Sequence, residues 1–318
     1  MSGNVGLKNN NSLDLDFHIL AFGSTGGRQF VLFGIFLLLY LICITWNSII
    51  ISLIFSDSRL QTPMYFFLRN LSIVDITYTS VTVPKLLDIF LTGNNRISFM
   101  DCFIQFFFFT AMACTEIVLL IAMAYDRYVA ICKALHYTLV MNKRNCNLFV
   151  LGSWASGYSN SLFVTIVASK IYFCGSRFID QLYCDIKPML KISCGNTLTF
   201  QAVVYFETFL MGLCPFVCIT LSYLKIISNI VRVNAKGSRG KAFSTCTSHL
   251  IIIGIFYGTI FIVYMMPSTA DFKKLDQVAS SFFLAVIPTI NPLIYSLRNT
   301  DIRRSFQKIV NFFYKGHW

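Results

Sequence analysis

Seven long apolar stretches, separated by short polar and basic segments, set the pattern of this chain. Phe30 to Ser56 contains no Asp, Glu, Lys or Arg. Asn70 to Pro84, whose stretch begins near Pro63, has one charge, Asp75. Cys102 to Tyr125 has only Glu116, and Ile192 to Leu224 has only Glu207. Asn145 to Ser169, Ala242 to Ala270 and Gln277 to Leu297 have none, though the second of these includes His249. A helix needs roughly 20 mostly apolar residues to cross a bilayer. The pattern therefore predicts seven spanning helices, and an odd count puts the termini on opposite sides.

A different pattern follows the seventh stretch. Ile302, Phe306, Ile309 and Phe313 recur at helical spacing, with Arg303, Arg304 and Lys308 on other faces. That predicts an amphipathic helix on the membrane surface, the alternative being a disordered basic tail. The expected fold is an all-α membrane protein, a seven-transmembrane helix bundle with a short amphipathic C-terminal surface helix. It divides into residues 1–28 outside the membrane, 29–298 as bundle and 299–318 as surface helix and tail. We find no internal repeat.

Composition agrees with that reading. Hydrophobic residues make up 56% of the 318 and charged residues 13%, against about 25% charged in a soluble domain. The net charge of +12 changes the picture only through its placement. Lys133, Lys143 and Arg144 lie between stretches three and four, and Arg232, Lys236, Arg239 and Lys241 between five and six. Arg298, Arg303, Arg304, Lys308 and Lys315 follow the seventh. The positive-inside bias puts these segments in the cytoplasm and the N-terminus outside; the plasma membrane is the expected location. The charge thus reads as topology and anionic-lipid contact rather than nucleic-acid binding. Met1 to Phe17 is polar, and the first apolar run is too long for a cleavable signal core. Asn10 heads a glycosylation acceptor on the outside; Asn70-Leu71-Ser72 fits the same pattern but falls within a span.

Four cysteines, Cys102, Cys174, Cys184 and Cys194, fall on the outer side, where disulfides persist. Four cysteines allow three pairings. The other seven lie in spans or toward the cytoplasm and are expected to stay reduced.

The candidate chemistry is sparse. His18, His136, His249 and His317 are scattered without metal-ligand spacing, no phosphate-cradling loop appears, and Ser and Cys lack a plausible base. An enzyme is not expected. Buried carboxylates in spans usually mark function, and Asp75, Glu116 and Glu207 are such groups. Asp126 and Arg127 close the third span, where a charge pair held in one state and freed in another could transmit a signal. The simpler reading is an anchoring Arg that snorkels to the interface.

The residues around that pair resemble a known family. Met123-Ala-Tyr-Asp-Arg-Tyr-Val-Ala-Ile-Cys132 is similar to a signature of vertebrate olfactory receptors, a branch of the rhodopsin-like (class A) G-protein-coupled receptors. So are Pro63-Met-Tyr-Phe-Phe-Leu68, Ser222-Tyr223, Lys241-Ala-Phe-Ser-Thr-Cys-Thr-Ser-His-Leu250, Phe256-Tyr257-Gly258 and Pro288-Thr-Ile-Asn-Pro-Leu-Ile-Tyr-Ser-Leu-Arg-Asn299. The resemblance implies an odorant receptor that binds a small volatile molecule within the bundle. It implies activation of a heterotrimeric G protein of the stimulatory olfactory type, raising cyclic AMP. Asp126, Arg127, Tyr128, Tyr223, His249, Asn291, Pro292 and Tyr295 match its activation motifs. It further implies the pairings Cys102–Cys184 and Cys174–Cys194.

For the ligand, resemblance points to Phe109, Thr110, Ala113 and Cys114 on the third helix and Glu207, Thr208 and Met211 on the fifth. On the sixth it points to Tyr257, Ile260, Phe261 and Tyr264. Below them, Asp75 and Glu116 match positions that face each other in this family; with further oxygen ligands from Asn47 and Asn291 they are expected to hold a sodium ion that stabilises the inactive state. The alternative is a protonated carboxyl in a hydrogen-bond network. Glu207 lies eight residues before Pro215, about two turns nearer the outside, at pocket depth. With no basic residue placed to neutralise it, it is expected to be protonated and to donate to a neutral oxygenated ligand. A cationic amine would instead hold it ionised, and a turn toward a neighbouring helix would make it structural.

Two departures from the family pattern stand out. Trp46 precedes Asn47 where a Gly is usual, and is expected to change packing between the first and seventh helices. Asn145 to Ser161 is rich in Gly and Ser for no reason evident in the sequence. Among competing classes, a transporter would be expected to show repeat halves and broken midplane helices. A rhodopsin-like receptor for a non-odorant amine or metabolite is nearer, but Phe256-Tyr257-Gly258 and the four-cysteine outer architecture argue against it.

Overall fold

The computed structural model describes residues 16–23, 27–174, 177–194, 198–232, 236–265, 273–298 and 300–315. Asn10 lies outside them, as do the side chains of Tyr295, Ile309 and Phe313.

The main helices follow the predicted stretches. They are α1 (Arg28–Ser56), α2 (Pro63–Thr92), α3 (Phe99–Cys132) and α4 (Lys143–Ser169). Next comes α5, which runs from Leu198–Glu207 through a π-helical turn at Thr208–Leu213 into Cys214–Arg232. In α6, Lys236–Ile260 ends in a π turn at Phe261–Met265. In α7, Lys273–Ser281 and Ile287–Arg298 flank a π turn at Phe282–Val286. Finally α8 spans Thr300–Lys315, so the C-terminal segment is helical.

Local chemistry sets the boundaries. Pro63 opens α2 at the first turn, where its missing N–H costs nothing. Gly93, at φ 74, closes that helix in the left-handed conformation that suits glycine. The Ser98 and Asn142 side chains cap α3 and α4 by accepting from the Asp101 and Asn145 backbone N–H groups.

Four segments are long and apolar enough to cross a membrane by length and composition alone: Arg28–Ser56, Phe99–Cys132, Leu198–Arg232 and Lys274–Ile294. In α6 the apolar part, His249–Met265, is shorter. The lengths of α2 and α4 suffice, but polar residues dilute them. Asn70, Ser72, Asp75, Thr79 and Thr82 of α2 are all buried, so its polar groups face the bundle. The apolar side chains of Phe30, Leu38, Leu151, Leu162, Phe206 and Leu221 are more than half exposed, an outward belt that requires lipid as solvent.

Small residues let α3 and α4 touch. A Cβ on Gly157 would collide with Thr115 Oγ1 and the Ala111 carbonyl. Ser161 donates to the Phe107 carbonyl at 2.5 Å, and Ser153 is fully buried. Gly157 and Ser161 of the Gly- and Ser-rich run in α4 thus serve the contact with α3, since small side chains permit close backbone approach within a membrane. Trp46 packs against Phe306 of α8, with ring centroids 6.1 Å apart.

Short strands cap one end of the bundle. β1 (Phe17–Ile19) pairs antiparallel with β2 (Arg96–Ile97), Phe17 facing Ile97. β3 (Tyr172–Phe173) pairs antiparallel with β5 (Ser193–Cys194), and β4 (Phe178–Ile179) runs parallel beside β1. Cys102–Cys184 ties this cap to α3, and Cys174–Cys194 closes the loop on itself.

Candidate functional site

A cavity of about 120 Å³ lies beneath that cap, between α3, α4, α5, α6 and α7. Phe109, Thr110, Ala113 and Cys114 line it from α3, and Glu207, Thr208 and Met211 from α5. Ile260 and Tyr264 line it from α6. Two residues expected there do not line it. Tyr257 is buried against Phe216, with centroids 5.1 Å apart, and Phe261 is 62% exposed on the outside of the bundle. Phe261 opens the π turn of α6, and that turn carries Tyr264, which faces the cavity. The other π turns act at the same depth. That of α5 supplies Thr208, Met211 and Gly212, and that of α7 supplies Phe283. Such turns recur at functional sites because they re-aim side chains without breaking the helix. Helical spacing alone does not reveal them.

The sequence reading also missed Asp185 and Ile186, which line the cavity from the loop. Their signal was adjacency: Cys184, bonded to Cys102, pins the next residues over the end of α3. Asp185 is 2% exposed. Its Oδ1 accepts from the Tyr264 hydroxyl at 3.2 Å, and its Oδ2 has no hydrogen-bond partner among the described residues. Burial pushes its carboxyl up to about 6. Glu207 has a partner the sequence did not announce: the Asn160 amide on α4 donates to its Oε1 and also reaches Cys114 Sγ at 3.2 Å.

Deeper in the bundle the Asn291 amide nitrogen bridges two carboxyls. It lies 3.2 and 3.3 Å from the Asp75 oxygens and 3.3 Å from Glu116 Oε1. Asn47 turns elsewhere, donating to the Cys43 and Pro288 carbonyls at 3.0 and 3.1 Å. The Oδ1 atoms of both Asn47 and Asn291 are buried without hydrogen-bond partners among the described residues. Among the described residues no group of three or more His, Cys, Asp or Glu is arranged to hold a metal.

At the far end of α3, Arg127 Nε donates to Asp126 Oδ2 at 3.0 Å, and the Tyr137 hydroxyl donates to Asp126 Oδ1 at 2.8 Å. The pair is thus engaged, with Asp126 fully buried. Tyr223 on α5 hydrogen-bonds His249 on α6 inside the bundle, holding those helix ends together. Tyr128 lies beneath the Lys133 ammonium, 5.9 Å from its ring centroid, and Pro292 sits within α7.

The fold matches that of squid rhodopsin with a TM-score of 0.72, covering 91% of this chain and 87% of the other at 16% identity. The match shows the fold, a seven-helix bundle of the rhodopsin type. The olfactory receptor family model matches residues 36–312. Human olfactory receptor 7C1 is 45% identical over 93% of this chain and 92% of its own length. Human olfactory receptor 1L6 is 43% identical over 99% and 90%, and mouse olfactory receptor 9G19 is 42% identical over 95% and 99%. The chain belongs to the olfactory receptor family, whose members are signalling receptors rather than enzymes.

Proposed function

We propose that this receptor takes a small volatile odorant into the cavity between α3, α5 and α6 and activates a heterotrimeric G protein of the stimulatory olfactory type, raising cyclic AMP. The observation that carries the reading is the cavity itself. At about 120 Å³ it is far smaller than a drug-sized site and near the size of a cavity that holds benzene, roughly 150 Å³. Its walls are mostly apolar, with few polar groups, which suits volatile molecules. The N-terminus lies outside the cell and the Asp126–Arg127 end inside, as the basic segments favour. An odorant shifts the population toward a state in which the α6 end bearing His249 parts from Tyr223 and the Asp126–Arg127 pair opens. Screening chemically diverse volatiles in cells with a cyclic-AMP reporter tests this. Ligand-evoked signalling without any cyclic-AMP rise would overturn the stimulatory coupling.

A sodium ion between Asp75 and Glu116 stabilises the resting state in this reading. Two buried carboxyls supply negative charge, and rotation of the Asn291 amide would present its partnerless Oδ1 to the ion. Asn47, engaged with Pro288, serves as an outer support. Asp75→Asn or Glu116→Gln should remove the sodium dependence of basal activity. Equal wild-type basal activity in sodium and in a bulky organic cation would favour a plain hydrogen-bond network instead.

A further inference from the structure

The described residues lining the cavity include two carboxyl groups and no basic residue. Glu207 is partly satisfied by Asn160. Asp185 is the unusual one: it is 2% exposed, and Tyr264 fixes its Oδ1 while Oδ2 has no hydrogen-bond partner among the described residues. A buried acceptor of this kind is costly unless something donates to it. The nearest cation in sequence does not do so. The Lys187 ammonium is turned to the Val263 carbonyl at 2.5 Å and to Asp276 at 3.6 Å, and Lys187 is not part of the cavity wall.

We infer that the cavity selects small apolar amines, with Asp185 Oδ2 accepting from the ligand ammonium and Glu207 adding a second negative pole. This deepens the ligand-site reading above and rests on it. It also chooses between the two ligand chemistries that Glu207 alone left open. One carboxyl can be kept neutral as a donor, but two in one cavity, with no basic residue among the described residues of its lining, favour a ligand that brings positive charge. The remaining walls, Phe106, Phe109, Ile260 and Phe283 among them, hold the hydrocarbon part. Tyr264 acts as a positioning residue, orienting the carboxylate so that one oxygen stays available.

The test uses purified full-length receptor in lipid nanodiscs at pH 7.4. Binding is read by thermal stabilisation with cyclohexylamine, cyclohexanol and methylcyclohexane, which match in size. The expected result is stabilisation by the amine at concentrations where the alcohol and hydrocarbon have little effect. Asp185→Asn keeps the side-chain shape and should weaken amine binding about ten- to a hundredfold, the loss of one charge-assisted hydrogen bond, while leaving alcohol binding within roughly twofold. Equal stabilisation by all three compounds, no stabilisation by the amine, or unchanged amine affinity in Asp185→Asn each overturns the proposal. The wild-type preference decides the matter even where the variant fails to fold. A cyclic-AMP reporter run alongside separates the two readings. Amine binding without cyclic AMP leaves this inference standing and removes the coupling, whereas cyclic-AMP responses to neutral volatiles alone do the reverse.

Discussion

Asn160 on α4 donates a hydrogen bond to Glu207 on α5, joining two helices across the floor of the cavity. This contact gives Glu207 both a structural and a ligand-facing role, since the carboxyl accepts from the amide while still lining the cavity. Glu207→Gln keeps size and hydrogen bonding but removes charge. It should reduce responses to amines more than responses to oxygenated volatiles of equal size. Asn160→Ala frees the carboxyl and should change the ranking of ligands without abolishing surface delivery. A ligand panel unchanged in both variants would assign Glu207 to helix packing alone.

Gly157 makes a second testable contact. A Cβ there meets the Thr115 hydroxyl and the Ala111 backbone carbonyl, so Gly157→Ala must push α4 away from α3. Overpacking of this kind costs about 1–3 kcal/mol. Lower thermal stability and reduced surface delivery are expected. Adding Thr115→Ala removes the hydroxyl but leaves the Ala111 carbonyl, so rescue should be partial. Full stability in Gly157→Ala would show that the helices separate at no cost.

The Asp126–Arg127 pair is held from a second side by Tyr137. Tyr137→Phe deletes one hydrogen bond to the buried Asp126 and should raise basal signalling, because the engaged state loses support. Arg127→Ala should abolish ligand-evoked signalling at matched surface level. A cyclic-AMP reporter normalised to surface staining measures both. Unaltered responses in Arg127→Ala would reduce the residue to a membrane anchor.

The sequence announced what depends on long-range pattern. Hydrophobic runs located the helices, and Ile302 and Phe306, on one side of α8, marked its bundle-facing surface. Family resemblance pointed to Phe109, Glu207 and Tyr264, which line one cavity. What stayed hidden depends on small local rotations and on contacts between distant segments. Phe261, expected in the cavity by resemblance, opens the π turn of α6 and faces outward, a local feature that resemblance does not carry. Asn160 was overlooked because an amide inside a Ser- and Gly-rich run has no pattern of its own. Asp185 was overlooked because loop residues acquire a place only once the Cys102–Cys184 bond fixes them. The contact of Trp46 with Phe306 joins α1 to α8, a pairing no periodicity encodes.

The buried Asp185 also predicts a pH effect on the ligand-free receptor. Its surroundings are the Tyr264 and Tyr183 hydroxyls, the Ile186 backbone, Lys187 and Asp276. Burial dominates and raises the carboxyl from 3.8 to about 6. A carboxyl raised on folding binds its proton more tightly in the native state, so its charged form opposes folding. The cost is absent below the unfolded value, grows as pH rises through the folded value, and is fully present at neutral pH. A displacement of this size corresponds to roughly 3 kcal/mol at most. Asp185→Asn cannot ionise and escapes that cost. The variant should therefore melt above the wild type at pH 7.5, with the gap narrowing at pH 5 as the wild-type carboxyl takes up its proton. Groups common to both proteins cancel in the difference. The gain in stability should accompany the loss of amine binding, since the feature that destabilises the empty cavity is the one that accepts the ligand ammonium. A gap that stays constant with pH, or one that widens on acidification, would mean that Asp185 is neutralised within the protein and is not held open for a ligand.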